Sequence, residues 1–195
     1  MYANSNRING WGCTMRNSLR VMVALLLVGA GVSFADEEGP AGFLFVVGPR
    51  LGVSYTVTTS EGFTDAVNEL FPSGTYVPVN TLFGVMAEQR ILLGETRSHF
   101  AFQEVILVAG LEQSIALPAA SLMIGYRDYS GFEIGAGPNL SLRGLGVVVA
   151  IGWTINARGV YIPIDVSCVL PSQQNAARIA LTTGFNFVTR RSSRF

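Results

Sequence analysis

The segment Phe132–Asn156, FEIGAGPNLSLRGLGVVVAIGWTIN, alternates along its whole length. Phe132, Ile134, Ala136, Pro138, Leu140 and Leu142 are apolar, and Glu133, Gly135, Gly137, Asn139, Ser141 and Arg143 sit between them. After Gly144 the pattern resumes, with Leu145, Val147, Val149, Ile151, Trp153 and Ile155 sharing one phase. A period of two is the signature of strands, because successive side chains point to opposite faces of a sheet. Arg143-Gly144 reads as the tight turn of a hairpin. One face of this hairpin is apolar without interruption; the other holds glycine, small polar groups and charge. In a soluble sheet the apolar face is the packed one, whereas in a membrane barrel it meets lipid and the polar face lines the interior.

Working outward, the alternation predicts eight strands. The first, Phe43–Val57, sets Phe43, Phe45, Val47, Leu51, Val53, Tyr55 and Val57 against Gly48, Arg50, Gly52, Ser54 and Thr56. The second, Tyr76 to Leu93, sets Val77, Val79, Phe83, Val85 and Ala87 against Asn80, Gly84, Glu88 and Arg90. In the third, Phe100 to Leu111, Val105, Leu107, Ala109 and Leu111 are expected to oppose Glu104 and Gly110, with a phase break, read as a bulge, at Phe100 to Gln103. The fourth is Ala119 to Arg127, the fifth and sixth are the hairpin, the seventh is Gly159 to Leu170 and the eighth is Ala177 to Phe187. Turn chemistry separates them at Gly94–Ser98, Asp128–Gly131 and Asn156–Gly159 on one end, and at Gln113–Pro118, Arg143-Gly144 and Pro171–Ala176 on the other. The longest excursion, Thr58 to Thr75, is expected to carry a short helix, because Phe63, Val67, Leu70 and Phe71 fall on one helical face before Pro72 and Gly74 end it. An even strand count allows an antiparallel up-and-down sheet to close.

Composition supports a chain short of solvated surface. Only 13% of the 195 residues are charged and the mean hydropathy is +0.41, against about 25% charged residues in soluble domains. The cations are all arginine and the formal net charge is zero. A basic cluster appears only at Arg190, Arg191 and Arg194, so the chain has no nucleic-acid footprint. At the other terminus, Met15-Arg16-Asn17-Ser18-Leu19-Arg20 is followed by the apolar run Val21–Val32, then Ser33-Phe34-Ala35 and Asp36-Glu37-Glu38. That order reads as a secretory signal cleaved after Ala35, with Met15 the better start, and the run falls short of the roughly 20 residues of a spanning helix. The expected organisation is a leader over 1–35, a barrel over 36–187 and a basic tail over 188–195. Cys13 leaves with the leader, so Cys168 has no intramolecular disulfide partner. An exported, membrane-embedded chain without spanning helices must be a closed barrel, since lipid leaves no backbone polar group unpaired.

Arg50, Glu88, Arg90, Glu104, Glu112, Arg127, Glu133, Arg143, Asp165 and Arg178 all fall on the glycine-rich phase in this reading, five of each sign. Charges gathered on one phase favour a membrane barrel over a soluble sheet. The interior of an eight-stranded barrel is just wide enough for side chains to fill it, so these groups are expected to form a lumen network that plugs the barrel or, alternatively, a polar constriction that gates it. Catalysis has little support: His99 reads as a solvated turn residue, no His/Cys cluster suits a metal, Gly135-Ala136-Gly137 lies within a strand rather than before a helix, and no cofactor is implied.

The leader, the eight alternating strands, the stretch Gly131 to Ser141 with Gly135-Ala136-Gly137-Pro138-Asn139, and the terminal aromatic strand Thr182-Thr183-Gly184-Phe185-Asn186-Phe187 resemble the small eight-stranded outer-membrane barrels. Among these the chain is most similar to the OmpW-like family, with OmpA- and OmpX-type barrels as relatives in architecture. The resemblance implies a transmembrane barrel in the outer membrane of a diderm bacterium, inserted by the barrel-assembly machinery. It also implies passage of small hydrophobic molecules that enter at the external rim, where Phe63, Val67, Leu70, Phe71 and Tyr76 would lie, and leave sideways into lipid. Eight residues follow Phe187, whereas such barrels often stop at that aromatic. The alternative is a sealed structural or adhesive barrel whose external loops bind a partner or lipid.

Overall fold

The computed structural model describes residues 43–57, 77–92, 98–141, 144–158, 160–171 and 177–191. Among the described residues nine strands are formed: β1 Phe43–Val57, β2 Val79–Leu92, β3 His99–Ala109, β4 Leu117–Arg127, β5 Phe132–Ser141, β6 Gly144–Ala157, β7 Val160–Val169, β8 Ala177–Gly184 and β9 Asn186–Arg191. β8 and β9 are one wall strand interrupted at Phe185, since both pair with β7 on one side and β1 on the other. Each of the eight wall strands is antiparallel to its sequence neighbour, and β1 pairs with β2 on one side and with the β8–β9 strand on the other, so the sheet closes as an eight-membered up-and-down barrel. The expected leader, the loop helix with Phe63, Val67, Leu70, Phe71 and Tyr76, Arg143 and the last four residues lie outside the described residues.

The stagger of the barrel follows from its register. The path Leu44, Arg90, Ala101, Gly125, Gly135, Ala150, Ser167, Ala180, stepping through Cα partners, returns to β1 at Ser54, ten residues beyond its start. A closed sheet with such a shift must tilt its strands, typically by about 35–45°. One end of the barrel, the terminal end, carries the start of β1, the end of β9 and the turns after β2, β4 and β6; the loop end carries the rest.

Alternation decides what each face holds. Outward side chains such as Val47, Leu51, Val85, Ile124, Val149, Ile151, Ile164 and Leu181 form an apolar wall, with exposures from 37% at Leu122 to 63% at Leu145. Buried Arg50, Glu88, Arg90, Arg127 and Glu133 point inward. The interior also holds an apolar half near the loop end. There Leu82, Ala109 and Ala180 pack with Leu107 and Leu117, and Met123, Val148 and Val169 pack with Val105 and Ala150.

The structure corrects the reading in three places. β3 has no bulge; its register against β2 and β4 is continuous from His99 to Ala109. Phe100 and Phe102 therefore face outward, His99 and Ala101 are buried inward, and the phase carries Glu104 out and Val105, Leu107 and Ala109 in. Glu112 lies in a 3₁₀ turn, Leu111–Gln113, between left-handed Gly110 (φ 82°) and Ser114 (φ 59°). Its carboxylate is not in the lumen: it accepts hydrogen bonds from the Thr81 amide, at 3.0 Å, and from the Thr81 hydroxyl. The last wall strand does not stop at Phe187 but continues to Arg191, because Leu44, Phe45 and Val46 of β1 supply partners for it.

The interruption at Phe185 depends on Gly48, where a Cβ would collide with the Phe185 carbonyl and crowd Asn186. Replacing Gly48→Val should lower stability by about 1–3 kcal/mol through overpacking, seen as an earlier urea midpoint for the heat-modifiable folded band. An unchanged midpoint would show that the seam does not need a bare backbone there.

Candidate functional site

The inward charges gather at the terminal end. Arg127 and Glu133 are direct partners across the β4–β5 ladder, so alternation places both side chains in the lumen. Glu88 and Arg90 lie two apart on β2 and share the inner face. Glu88 is fully buried and is the hub: Arg90 Nε donates to its Oε1 at 2.6 Å and Arg127 Nη2 donates to its Oε2 at 3.1 Å. Arg127 Nη2 also donates to Glu133 Oε2, and Thr154 Oγ1 donates to Glu133 Oε1 at 2.6 Å. Arg90 packs over the ring of Tyr161, 4.4 Å from its centroid.

Arg50 joins from β1. Its Nη1 donates to Asn186 Oδ1 at 2.8 Å and to the Pro49 carbonyl at 3.2 Å, and its Nη2 meets Met86 Sδ at 3.0 Å. Asp165 enters beside it because its β6 partner is Gly152, whose missing side chain leaves the space that the Asp165 carboxylate fills. Arg50, Arg127, Glu133 and Asp165 border a cavity of about 60 Å³ together with Gln103, Ser121 and Thr182. A second cavity of about 30 Å³, lined by Leu82, Leu107, Leu117 and Val148, holds Arg178 away from this cluster, near the loop end.

Of the ten predicted lumen charges, the structure brings together Arg50, Glu88, Arg90, Arg127, Glu133 and Asp165: three guanidinium groups and three carboxylates. Glu104 and Glu112 lie outside it for the reasons given above. His99 was expected to be a solvated turn residue; it is instead buried, and its Nε2 lies 3.9 Å from Glu88 Oε1, because it opens β3 on the inward phase opposite Arg127. Met86, Thr154, Tyr161 and Asn186 are further members that charge alone did not mark, although all four fall on the inward phase. Beyond the plug, the β4–β5 turn is held by Asp128, which accepts hydrogen bonds from Ser98 Oγ at 3.2 Å and Ser130 Oγ at 2.9 Å. Slight burial raises the Asp128 carboxyl, but these bonds outweigh it and hold the group below its ordinary value.

This arrangement fills the terminal end of the interior with paired, buried side chains. Buried charges that pair with one another are costly to break singly, since removing one partner leaves the others uncompensated. The voids beside them are small. Glu88→Ala should destabilise the barrel by roughly 3–5 kcal/mol, whereas Glu133→Gln, which keeps an acceptor for Arg127 and can turn its amide NH₂ toward Thr154 Oγ1, should cost less; urea titration of Trp153 fluorescence would rank the two. The reverse order would show that Glu88 is not the hub.

No protein-family model matches the chain, and neither a curated protein nor a solved structure shows significant similarity to it.

Proposed function

We propose that this chain is a membrane-spanning barrel of the bacterial outer membrane whose lumen is shut by the Glu88-centred plug, so that it works as a sealed barrel presenting its loops to a partner or lipid. The observation that carries this reading is the division of side chains by face: half-exposed aliphatic and aromatic residues around the wall, and paired charges within. A water-facing wall gains nothing from such a surface, while lipid requires it. Aromatic residues support the placement of an interface. Phe45, Phe100, Tyr126, Phe132, Trp153 and Phe187 lie on the outward phase near the terminal end, and two pairs meet edge to face, Phe100–Tyr126 at 6.0 Å and Phe132–Trp153 at 6.2 Å. Such girdles mark the level where hydrocarbon gives way to headgroups. Glu104 is the exception, an outward carboxylate near the middle of β3; on a lipid face a carboxylate costs less than an arginine or lysine.

A second reading is favoured by the apolar half of the lumen, lined by Leu82, Leu107, Val148 and Val169: passage of small hydrophobic molecules, the role the OmpW-like resemblance implies. The two readings separate in liposomes. A sealed barrel gives no conductance and no uptake of apolar probes; uptake by the wild-type protein would favour transport.

The membrane reading itself is tested by Ile151→Arg. Ile151 is 49% exposed on the wall of β6. On a soluble barrel the substitution should be close to neutral, but in a bilayer it should cost about 2–4 kcal/mol near the midplane. Outer-membrane fractionation and a boiled-versus-unboiled gel of both proteins would read this directly. A wild-type product in the soluble fraction, or an Ile151→Arg protein that folds as well as wild type in vesicles, would sink the membrane reading.

A further inference from the structure

We propose that the cavity bordered by Arg50, Arg127, Glu133 and Asp165 is a binding site for a small cluster of ordered water molecules, which completes the hydrogen bonding of the plug. The site lies in the interior and is independent of whether the wall meets lipid or water. Donors with nothing to donate to border this space. Arg127 is buried and its Nη2 is taken by Glu88 and Glu133, but its Nε and Nη1 meet no hydrogen-bond partner among the described residues. Arg50, equally buried, spends its guanidinium on neutral groups: Asn186 Oδ1, the Pro49 carbonyl and Met86 Sδ. Among the described residues it forms no ion pair.

Acceptors border the same space. Asp165 forms no ion pair with a described arginine, and the charged group that acts on it most strongly is a like one, Glu133. Register explains why Arg50 and Asp165 do not meet. Asp165 of β7 pairs with Gly152 of β6 and Thr182 of β8, and its carboxylate lies over Gly152, in the place a Cβ would take. The Arg50 guanidinium lies over Gly184, on β8. Each side chain occupies its own bare patch of wall, on opposite sides of β7, and the cavity lies beside both. Buried charges and donors without partners are costly, so the occupant must accept from the arginines and donate to the carboxylates. A halide accepts but does not donate, and Glu133 and Asp165 repel it; a metal cation meets the same objection from Arg50 and Arg127. Water does both. The space suits it: the cavity holds about 60 Å³, and one water needs roughly 10–15 Å³ on that measure. Asp165, Gln103 and Ser121 point inward yet are only half-buried, because they face this space.

The test is a crystal structure of the full barrel, with and without a bromide soak, at a resolution that shows bound water elsewhere. Ordered water should lie within hydrogen-bond distance of Arg127 Nη1 or Nε and of Asp165, with no anomalous bromide peak. A cavity without ordered density overturns the proposal, and a bromide peak between the arginines overturns it in favour of an anion site. A second measurement does not depend on crystals. Asp165→Leu removes an acceptor and fills the space with apolar atoms, so the arginines lose their water. Its urea midpoint should fall by about 1 M, the size of one unsatisfied buried group over a typical denaturant slope, while Asp165→Asn, which still bonds water, should fall less. A dry cavity predicts the reverse, because Asp165→Leu would remove an unpaired carboxylate and fill a void. An Asp165→Leu barrel as stable as wild type, or more stable, therefore also overturns the proposal.

Discussion

Closure of the hydrogen-bonded ladder is the constraint on which everything else in this protein depends. β1 finds partners on both sides, β2 on one and the interrupted β8–β9 strand on the other. With no edge left, each strand has one face inside and one outside, and alternation along the chain becomes a sorting of side chains between two environments. The stagger of ten residues fixes which inward groups meet. Arg127 and Glu133 meet because they are ladder partners, whereas Glu88 reaches Arg127 from a strand two places away.

The interior is not uniform. Its terminal half is a salt-bridged network built on Glu88, and its loop half is packed with leucine, valine, alanine and methionine. The two halves fill the interior by different physics. Ion pairs of this kind are specific and tolerate little loss of a partner, while apolar packing is adaptable and yields to a guest of similar character. Any route through the barrel would have to breach the first half and could borrow from the second.

The strands of the hairpin and β1 were legible in the sequence because their alternation is local and unbroken; Phe43–Val57 required no knowledge of neighbours. β3 was misread because a single charge, Glu104, was used to orient it. The run His99, Phe100, Ala101, Phe102 already held the correct phase, but the rule that charge faces inward overrode it. The six charges of the plug were visible as inward candidates, yet their pairing was not, because register between strands is set by contacts distant in sequence. His99 shows the same limit: residue type beside a turn suggests solvent, and only the ladder reveals that the turn has ended.

The bond between Arg50 and Asn186 joins residues 136 apart in the chain. It crosses the seam where the first wall strand meets the last, beside the interruption at Phe185 and the bare backbone of Gly48. The side chain that ties the first wall strand to the last is therefore also one of the inward cluster that borders the interior cavity. The last wall strand thus supplies the amide that holds Arg50, one of the largest fully buried side chains of the interior.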